Sequence, residues 1–597
     1  MVGVLGIYRP MYIDVVPNRN SPPAILLRET QRDGNRAIKT TLANLSALPP
    51  DAISALRILL KGGQLVEAST ERFVVERSLP CGHVRAIKTA MEKLGMPELV
   101  SSKPGEERDV VLAMIAQRII RPGSKLESAA LFADTTLADD FNVTNVDEDD
   151  LYAAMDWVLE RQSFIEKKLA KRHISEGSMV FYDVSSSSYY GTHCSLARRG
   201  KNRDGLALPS IIYGLLTDGD GRPVAIRAYP GNTGDPATVP DQMDAMRNEF
   251  GVGRFVIVGD RGMLTQPQIT RLKEQEGCGW ISCLRSSDIR KLLETRDPSD
   301  APLFTQSNIA EITHPDFPGE RLVACYNAFL ATDRDRTRNE LLACTEELLK
   351  KLAREVGRRT RTLLSAAEIG MKVGRIINKY KVAKHFTVDI GDGRIAWTRI
   401  EKSIAREKAL DGIYIVRTSE PAERLSSADV VRAYKRLGNV EKAFRTFKGI
   451  DLRVRPIHHR LENRVRAHLF LCMLAYYVEW HMRIALASML YVDKDLEPTR
   501  TTRDPVARAE PSAKSQAKRE TKISEDGWPL RRWDGVLQTM ATITENKCRV
   551  GEEKLAVHFP RVTQSSDYQK RVSTLLDHVP LWRNNQLCPV NGTDKST

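Results

Sequence analysis

The chain has no Cys-x2-Cys pair, no Gly-x4-Gly-Lys-Ser/Thr loop, no Gly-x-Ser-x-Gly elbow and no internal repeat. Each absence excludes a class of function. The nine cysteines are odd in number and scattered at positions 81, 194, 278, 283, 325, 344, 472, 548 and 588. They read as reduced, buried residues rather than zinc ligands or a disulfide framework. Cys278 and Cys283 bracket Gly-Trp-Ile-Ser, a strand-like stretch. Lacking a phosphate loop, the chain has nothing that recommends a nucleotide-hydrolysing motor. The serine run Ser185–Ser188 lacks the surroundings of a serine nucleophile. Long apolar runs are also missing: Ala467–Val478 is too short to span a bilayer and contains His468. The first residues, Met-Val-Gly-Val-Leu-Gly-Ile-Tyr-Arg-Pro, place no basic region before the apolar ones. A cytoplasmic protein with no secretory signal and no membrane partner is therefore expected.

What is present is bulk and positive charge. At 597 residues, several domains are expected. Hydrophobic residues make up 42% and charged residues 28%, the balance of a globular protein rather than a disordered one. Ninety Lys and Arg face 76 Asp and Glu, leaving a formal charge of +14. That excess points to a polyanionic partner, because neutralised phosphates release counterions. A basic enzyme with no such partner accounts for the charge alone equally well.

Residues 1–175 begin with strand-like alternation and become helical, with apolar residues at three- and four-residue spacing in Asp51–Leu65, His83–Leu94, Arg108–Ile120 and Glu148–Lys171. A basic turn, Arg118-Ile-Ile-Arg-Pro-Gly-Ser-Lys125, fits a DNA-binding or a packing role, without a clear helix-turn-helix signature. From residue 176 to 290 the pattern changes. Strands are expected at Met179–Ser185, Ser210–Thr217, Val224–Tyr229, Arg254–Gly259 and Gly279–Leu284, with helices at Thr238–Glu249 and Gln266–Gln275. The order βββαβαβ describes a mixed α/β sheet with helices on it, the order of an RNase H-like fold. Residues 291–425 read as an inserted α+β segment, with strands at Leu322–Leu330, Phe386–Ile390 and Gly393–Ile400 and a charged helix at Arg334–Arg358. Residues 426–495 supply helices at Ser427–Phe447 and Leu461–Leu486 that complete the core. Residues 496–530 read as a linker and 531–597 as a small helical tail.

Two aspartates sit where burial is costly. Asp183 lies within Val180-Phe-Tyr-Asp-Val, and Asp260 ends Phe255-Val-Ile-Val-Gly-Asp. In this strand order the first and fourth strands adjoin, so the carboxylates can lie side by side. Like charges so placed repel unless a cation offsets them. Oxygen-only ligands suit Mg²⁺ or Mn²⁺ better than zinc. Each aspartate taken alone is equally at home capping a strand end. A third carboxylate is expected on a helix beside the sheet. In Ala433–Lys448, Tyr434, Glu441 and Lys448 recur every seven residues, one polar stripe on an unbroken helix, with Val440, Phe444 and Phe447 as the adjacent apolar stripe. A surface helix with incidental charges is the plainer account of that segment by itself.

These segments resemble the DDE transposases of bacterial insertion sequences, in the IS-four type superfamily. The signature Tyr-x2-Arg-x3-Glu-x6-Lys is matched at Tyr434, Glu441 and Lys448, with Leu437 where the arginine belongs. Arg436 and Arg445 are the candidates to take over its phosphate contact. Further matches are Tyr182-Asp183-Val-Ser, Gly231-Asn-Thr-Gly-Asp235, Gly259-Asp-Arg-Gly-Met263, Asp411-Gly-Ile-Tyr and Arg455-Pro-Ile-His-His-Arg460, and the likeness spans roughly residues 105 to 490. The resemblance implies an RNase H-like core and a catalytic triad of Asp183, Asp260 and Glu441 holding two Mg²⁺ ions, with Mn²⁺ able to substitute. Asp183 would bridge both ions. The implied reaction is strand cleavage at element ends followed by transfer of the freed 3′-hydroxyl to target DNA. The partners it implies are double-stranded DNA, as element ends and target, and a second copy of the chain when DNA is bound.

Basic segments would hold that DNA: Arg198, Arg199, Lys201 and Arg203 after the first strand, and Lys448, Arg453, Arg455, Arg460 and Arg464 after the third carboxylate. The resemblance places Tyr434 and Lys448 on phosphate near the cleaved end. Trp397 is either a base-stacking residue or core. His458 and His459, being adjacent, diverge and read as phosphate or packing contacts rather than metal ligands. Two other readings share these residues: a structure-selective nuclease that does not join strands, and a non-catalytic DNA-binding protein derived from a transposase.

Overall fold

The computed structural model describes residues 11–19, 21–33, 36–61, 73–143, 145–295, 304, 307–493, 503–507, 510–550 and 557–579. The chain divides into two compact units, one of residues up to Leu79 with Thr544–Thr563, the other of Pro80–Ile543 with the residues from Gln564 onward. In the smaller unit Met11–Val16, Ala24–Asp33 and Arg36–Asn44 form an antiparallel sheet, followed by a helix at Pro50–Leu60. Phe73–Pro80, Thr544–Val550 and Val557–Val562 form a second three-stranded sheet.

The larger unit is built on one eight-stranded mixed sheet. Its strands are β1 (Met179–Ser188), β2 (Ser210–Thr217), β3 (Pro223–Pro230), β4 (Phe255–Val258), β5 (Cys278–Cys283), β6 (Ile309–Ile312), β7 (Arg321–Tyr326) and β8 (Ile413–Thr418). They lie side by side as β6-β7-β8-β5-β4-β1-β2-β3. β1, β2 and β3 are joined antiparallel, whereas β1, β4 and β5 run parallel to one another. Strands covered on both faces must be apolar throughout. Every residue of β2, β4 and β5 is accordingly buried. Gly214 in β2 leaves room for Tyr182, whose hydroxyl would lie 2.0 Å from an added Cβ.

Helices α1 (Gly82–Lys93), α2 (Glu106–Ile120), α3 (Lys125–Asp134), α4 (Glu148–Glu160) and α5 (Gln162–His173) belong to this unit, as do α6 (Gln266–Glu274) and the long α7 (Ala328–Arg358). α8 (Ser427–Arg436), α9 (Gly438–Lys448) and α10 (Glu462–Ala485) complete it. α10 is apolar nearly all round, and Val465 through Val478 are buried apart from Arg466. Such a helix needs cover on every side. α2, α4 and β3 pack against it.

The structure departs from the sequence reading at several points. The region before residue 175 is not one helical domain, because residues 11–44 are antiparallel strands while α1–α5 share a core with the main sheet. The inserted segment is not set apart: β6, β7 and β8 extend the main sheet, and the rest gathers around a separate apolar cluster of Leu342, Leu349 and Ile369. Trp397 packs on that cluster. Residues expected to be a linker include a helix at Ala513–Thr521, capped by Ser512, although part of the stretch lies outside the described residues. The expected helical tail contains two strands as well as helices at Trp533–Ala541 and Asp567–Leu576. Thr238–Glu249 is a 3-10 turn, a short α-helix and a π turn in succession. Among the described residues no helix is long and apolar enough to cross a membrane.

The expected helix Ser427–Phe447 is two. Around Leu437 the ladder tightens: Leu437 N–H donates to the Tyr434 carbonyl at 3.1 Å and Val440 N–H to the Leu437 carbonyl at 3.0 Å. Gly438 follows, and a local three-residue step turns the later helix relative to the earlier one. The polar stripe of an unbroken helix therefore does not run straight from Tyr434 to Glu441. α9 is seated by Val440, Ala443, Phe444 and Phe447, all buried. Phe444 meets Tyr213 at 5.8 Å between ring centroids, and Phe447 meets Tyr476 edge-on at 5.3 Å. Phe447→Ala should lower the unfolding free energy by about 3–5 kcal/mol, through lost burial and the cavity left behind. Urea denaturation followed by circular dichroism checks it.

Candidate active site

Asp183 lies in β1 opposite Leu215 of β2. Its Oδ1 accepts a hydrogen bond from the Val184 N–H at 2.8 Å. Burial pushes its carboxyl up to about 7, with the Val184 amide and the Arg203 guanidinium pulling it down and the charges of Asp260 and Glu441 pushing it further up. Both of the other expected carboxylates therefore act on Asp183 through space, though one lies 77 residues and the other 258 residues further along the chain.

Asp260 follows β4, which pairs in parallel with β1, Phe181 beside Val258. Its side chain is exposed, and its carbonyl accepts from the Met263 and Leu264 amides at 2.9 and 3.0 Å. That turn follows from the motif Asp260-Arg-Gly-Met. The Tyr434 hydroxyl donates to Asp260 Oδ1 at 3.5 Å, so α8 leans on the second carboxylate. Glu441 is exposed on α9, at the border of the face that buries Val440 and Phe444.

The three groups offer oxygen donors only, the set preferred by hard divalent cations. A cation among them would offset the repulsion that raises Asp183. In that respect the residues fit such an ion. Among the described residues, no three His, Cys, Asp or Glu side chains already stand close enough to hold one ion together. Charge proximity is present and a closed ligand shell is not.

A fourth carboxylate, Asp204, organises the cations around the site. Its side chain is 4% exposed and pairs with Lys448 at 3.3 Å and Arg455 at 2.6 Å. It also accepts from the Ser188 N–H at 2.8 Å and the Ser188 hydroxyl at 3.2 Å. Burial pushes Asp204 up, but the Ser188 amide and the two cations outweigh it and hold the carboxyl below its ordinary value. Burial pulls the Lys448 ammonium down, and Asp204 only partly restores it. Lys448 also donates to the Ser186 carbonyl. Sequence reasoning missed Asp204. The available signal was one acid directly after the basic run Arg198–Arg203, in a turn where Asp204 N–H donates to Asn202 Oδ1 at 2.9 Å.

The serine run has a structural use. Ser186 Oγ accepts from the Arg203 N–H at 3.0 Å, Ser187 meets the Tyr213 hydroxyl at 2.9 Å, and Ser188 holds Asn202 and Asp204. Arg203 in turn pairs with Asp235 of the Gly231–Asp235 motif at 2.7 Å. Arg198, Arg199 and Lys201 are exposed on the same loop. Arg436 is half-buried and Arg445 exposed, with no ion pair to either among the described residues. Arg460, His458 and His459 line a cleft beside Arg455. Cys278 and Cys283 are buried free thiols.

Residues 185–478 match the family model described as Transposase DDE domain. The matched stretch takes in Asp260 and Glu441 and begins two residues after Asp183. Comparison with curated proteins finds no match. The similarity to this domain supports a DDE transposase, a class that acts on DNA and generally uses divalent metals. The mixed sheet with its many helices is compatible with such a domain.

A carboxyl held low in the folded chain adds stability above its unfolded value of about 3.9, and that stability fades as pH falls through the lower folded value. Asp204→Asn should therefore flatten the loss of stability below about pH 4. It should lower stability at neutral pH, because Lys448 keeps only neutral partners. Thermal melts of both proteins between pH 3 and pH 7 measure this.

Proposed function

We propose that this chain is a DNA transposase of the insertion-sequence type. It binds element ends, cleaves a strand and joins the freed end to target DNA. Asp183, Asp260 and Glu441 are its catalytic carboxylates. The observation that carries the reading is geometric: β1, which holds Asp183, pairs in parallel with β4, which Asp260 follows, and Tyr434 of the helix just before that of Glu441 reaches Asp260, within a domain similar to that of transposases.

The three carboxylates would hold two Mg²⁺ ions, or Mn²⁺ in their place, which activate the attacking oxygen and neutralise phosphoryl charge. Water's oxygen bonds to phosphorus as the bond to the 3′-oxygen breaks, leaving a 3′-hydroxyl. That hydroxyl then attacks a target phosphodiester and displaces the target's own 3′-oxygen. One phosphodiester replaces another, so no nucleotide energy source is required. Tyr434, braced against Asp260, orients that carboxylate and the strand end. Lys448 and Arg455 hold phosphate oxygens once DNA competes with Asp204. Arg436 or Arg445 supplies the contact that Leu437 cannot, and Arg198, Arg199, Lys201 and Arg460 position the backbone. Pairing of two element ends calls for a dimer on DNA, and the protein acts in the bacterial cytoplasm, on the nucleoid.

Glu441→Gln keeps the shape of the side chain and removes its charge. It should reduce strand nicking by at least about a hundredfold, or about 2.7 kcal/mol of transition-state stabilisation, while leaving DNA affinity within about twofold. Labelled element ends in Mg²⁺ provide the assay, and nicking at the wild-type rate would sink the assignment. Lys448→Ala should weaken end binding and lower the slope of log affinity against log salt by about 0.9. Joined products separate a transposase from a nuclease that only hydrolyses.

A further inference from the structure

The basic turn between α2 and α3 faces the segment Arg453–Arg464 across a cleft of about 650 Å³. Arg118 and Lys125 line it and are themselves 5% and 6% exposed. Neither forms an ion pair with a carboxylate among the described residues. Burial pulls the Lys125 ammonium down to about 7, with Arg118 lowering it further. Arg455, Arg460 and Arg464 complete a cationic wall. The acidic residue in the lining, Glu127, is committed to capping α3, its carboxylate accepting from the Ser124 N–H at 2.7 Å. His468 is 5% exposed and lines the cleft as well. Its Nε2 meets the Val454 carbonyl at 2.9 Å, while its Nδ1 has no hydrogen-bond partner.

Buried cations that repel each other, with no internal anion, are unfavourable in an empty cleft and become favourable around an anionic ligand. Guanidinium and ammonium groups together suit phosphate oxygens, through short charge-assisted hydrogen bonds. We propose that this cleft is a phosphate pocket that takes a phosphate group of the bound DNA, a role resting on the transposase reading. Arg455 connects it to the candidate active site, because the same guanidinium reaches Asp204, the partner of Lys448. A strand held by Lys448 and Arg455 would run on toward the cleft, since Arg455 also lines it. The volume exceeds that of one phosphate and leaves room for the attached sugar.

The experiment compares full-length wild type with Lys125→Met and Arg460→Gln, the latter on the exposed rim in case the buried substitution prevents folding. The probes are a fluorescent duplex carrying an element end, measured across a salt series, and inorganic pyrophosphate, measured by thermal shift. The pocket predicts that each variant binds the duplex about fivefold or more weakly and loses about 0.9 of the salt slope. Lys125→Met should also melt at or above the wild-type temperature, since a buried uncompensated charge is removed. Unchanged duplex affinity and slope in both variants overturn the proposal. Pyrophosphate that stabilises the wild type, with duplex binding unchanged in the variants, also overturns it and assigns the cleft to free phosphate. Nicking is scored separately on the wild type: a chain that loses DNA binding in these variants but never nicks keeps the pocket and loses the transposase reading.

Discussion

A carboxylate inside an apolar strand is costly, and the arrangement around Asp183 is governed by that cost. Among the described residues the Val184 amide hydrogen-bonds it directly, and Arg203 offsets its charge from the next loop. Arg203 is itself braced by Asp235 and by the hydroxyl of Ser186. Against these, Asp260 and Glu441 add negative charge from neighbouring elements. A structural protein has no evident use for three acids disposed so that two oppose the ionisation of the third. The proposed transposase, which would recruit hard cations to a reacting phosphate, does.

The same physics, with the sign reversed, separates two groups of cations. Lys448 and Arg455 are satisfied by Asp204, an internal anion held in place by Ser188 and Asn202. Arg118 and Lys125 are more deeply buried and have no such carboxylate partner among the described residues. One group is neutralised within the protein, and the other lacks that relief. A positive protein thus keeps part of its charge screened by its own acids and leaves part without a carboxylate partner among the described residues.

Much of this was legible before any fold was seen. β2 appears at its expected bounds because eight consecutive residues are apolar or small and turn residues flank them. The elements from β1 to β5 follow the expected order. Where reading failed, the deciding force was not local. Leu437 and Gly438 look helical by period, yet a tightened step there divides α8 from α9. β6, β7 and β8 were visible as strand-like stretches or passed over, but nothing local tells a strand which sheet edge it will extend. Asp204 was hidden by its basic neighbours, because its partners lie 244 and 251 residues further along.

By itself the sequence determined the positions of the buried strands, the identity of the exceptional acids within and after them, and the seating face of α9. These depend on side-chain periodicity and on the cost of burying charge, both local properties of a short stretch. Tertiary structure alone decided which acids feel one another, which cations are already paired, and that α2 and α3 share a cleft with the segment after the third carboxylate. Those outcomes depend on distances between residues far apart in the chain, and Coulomb interactions follow distance in space rather than separation in sequence.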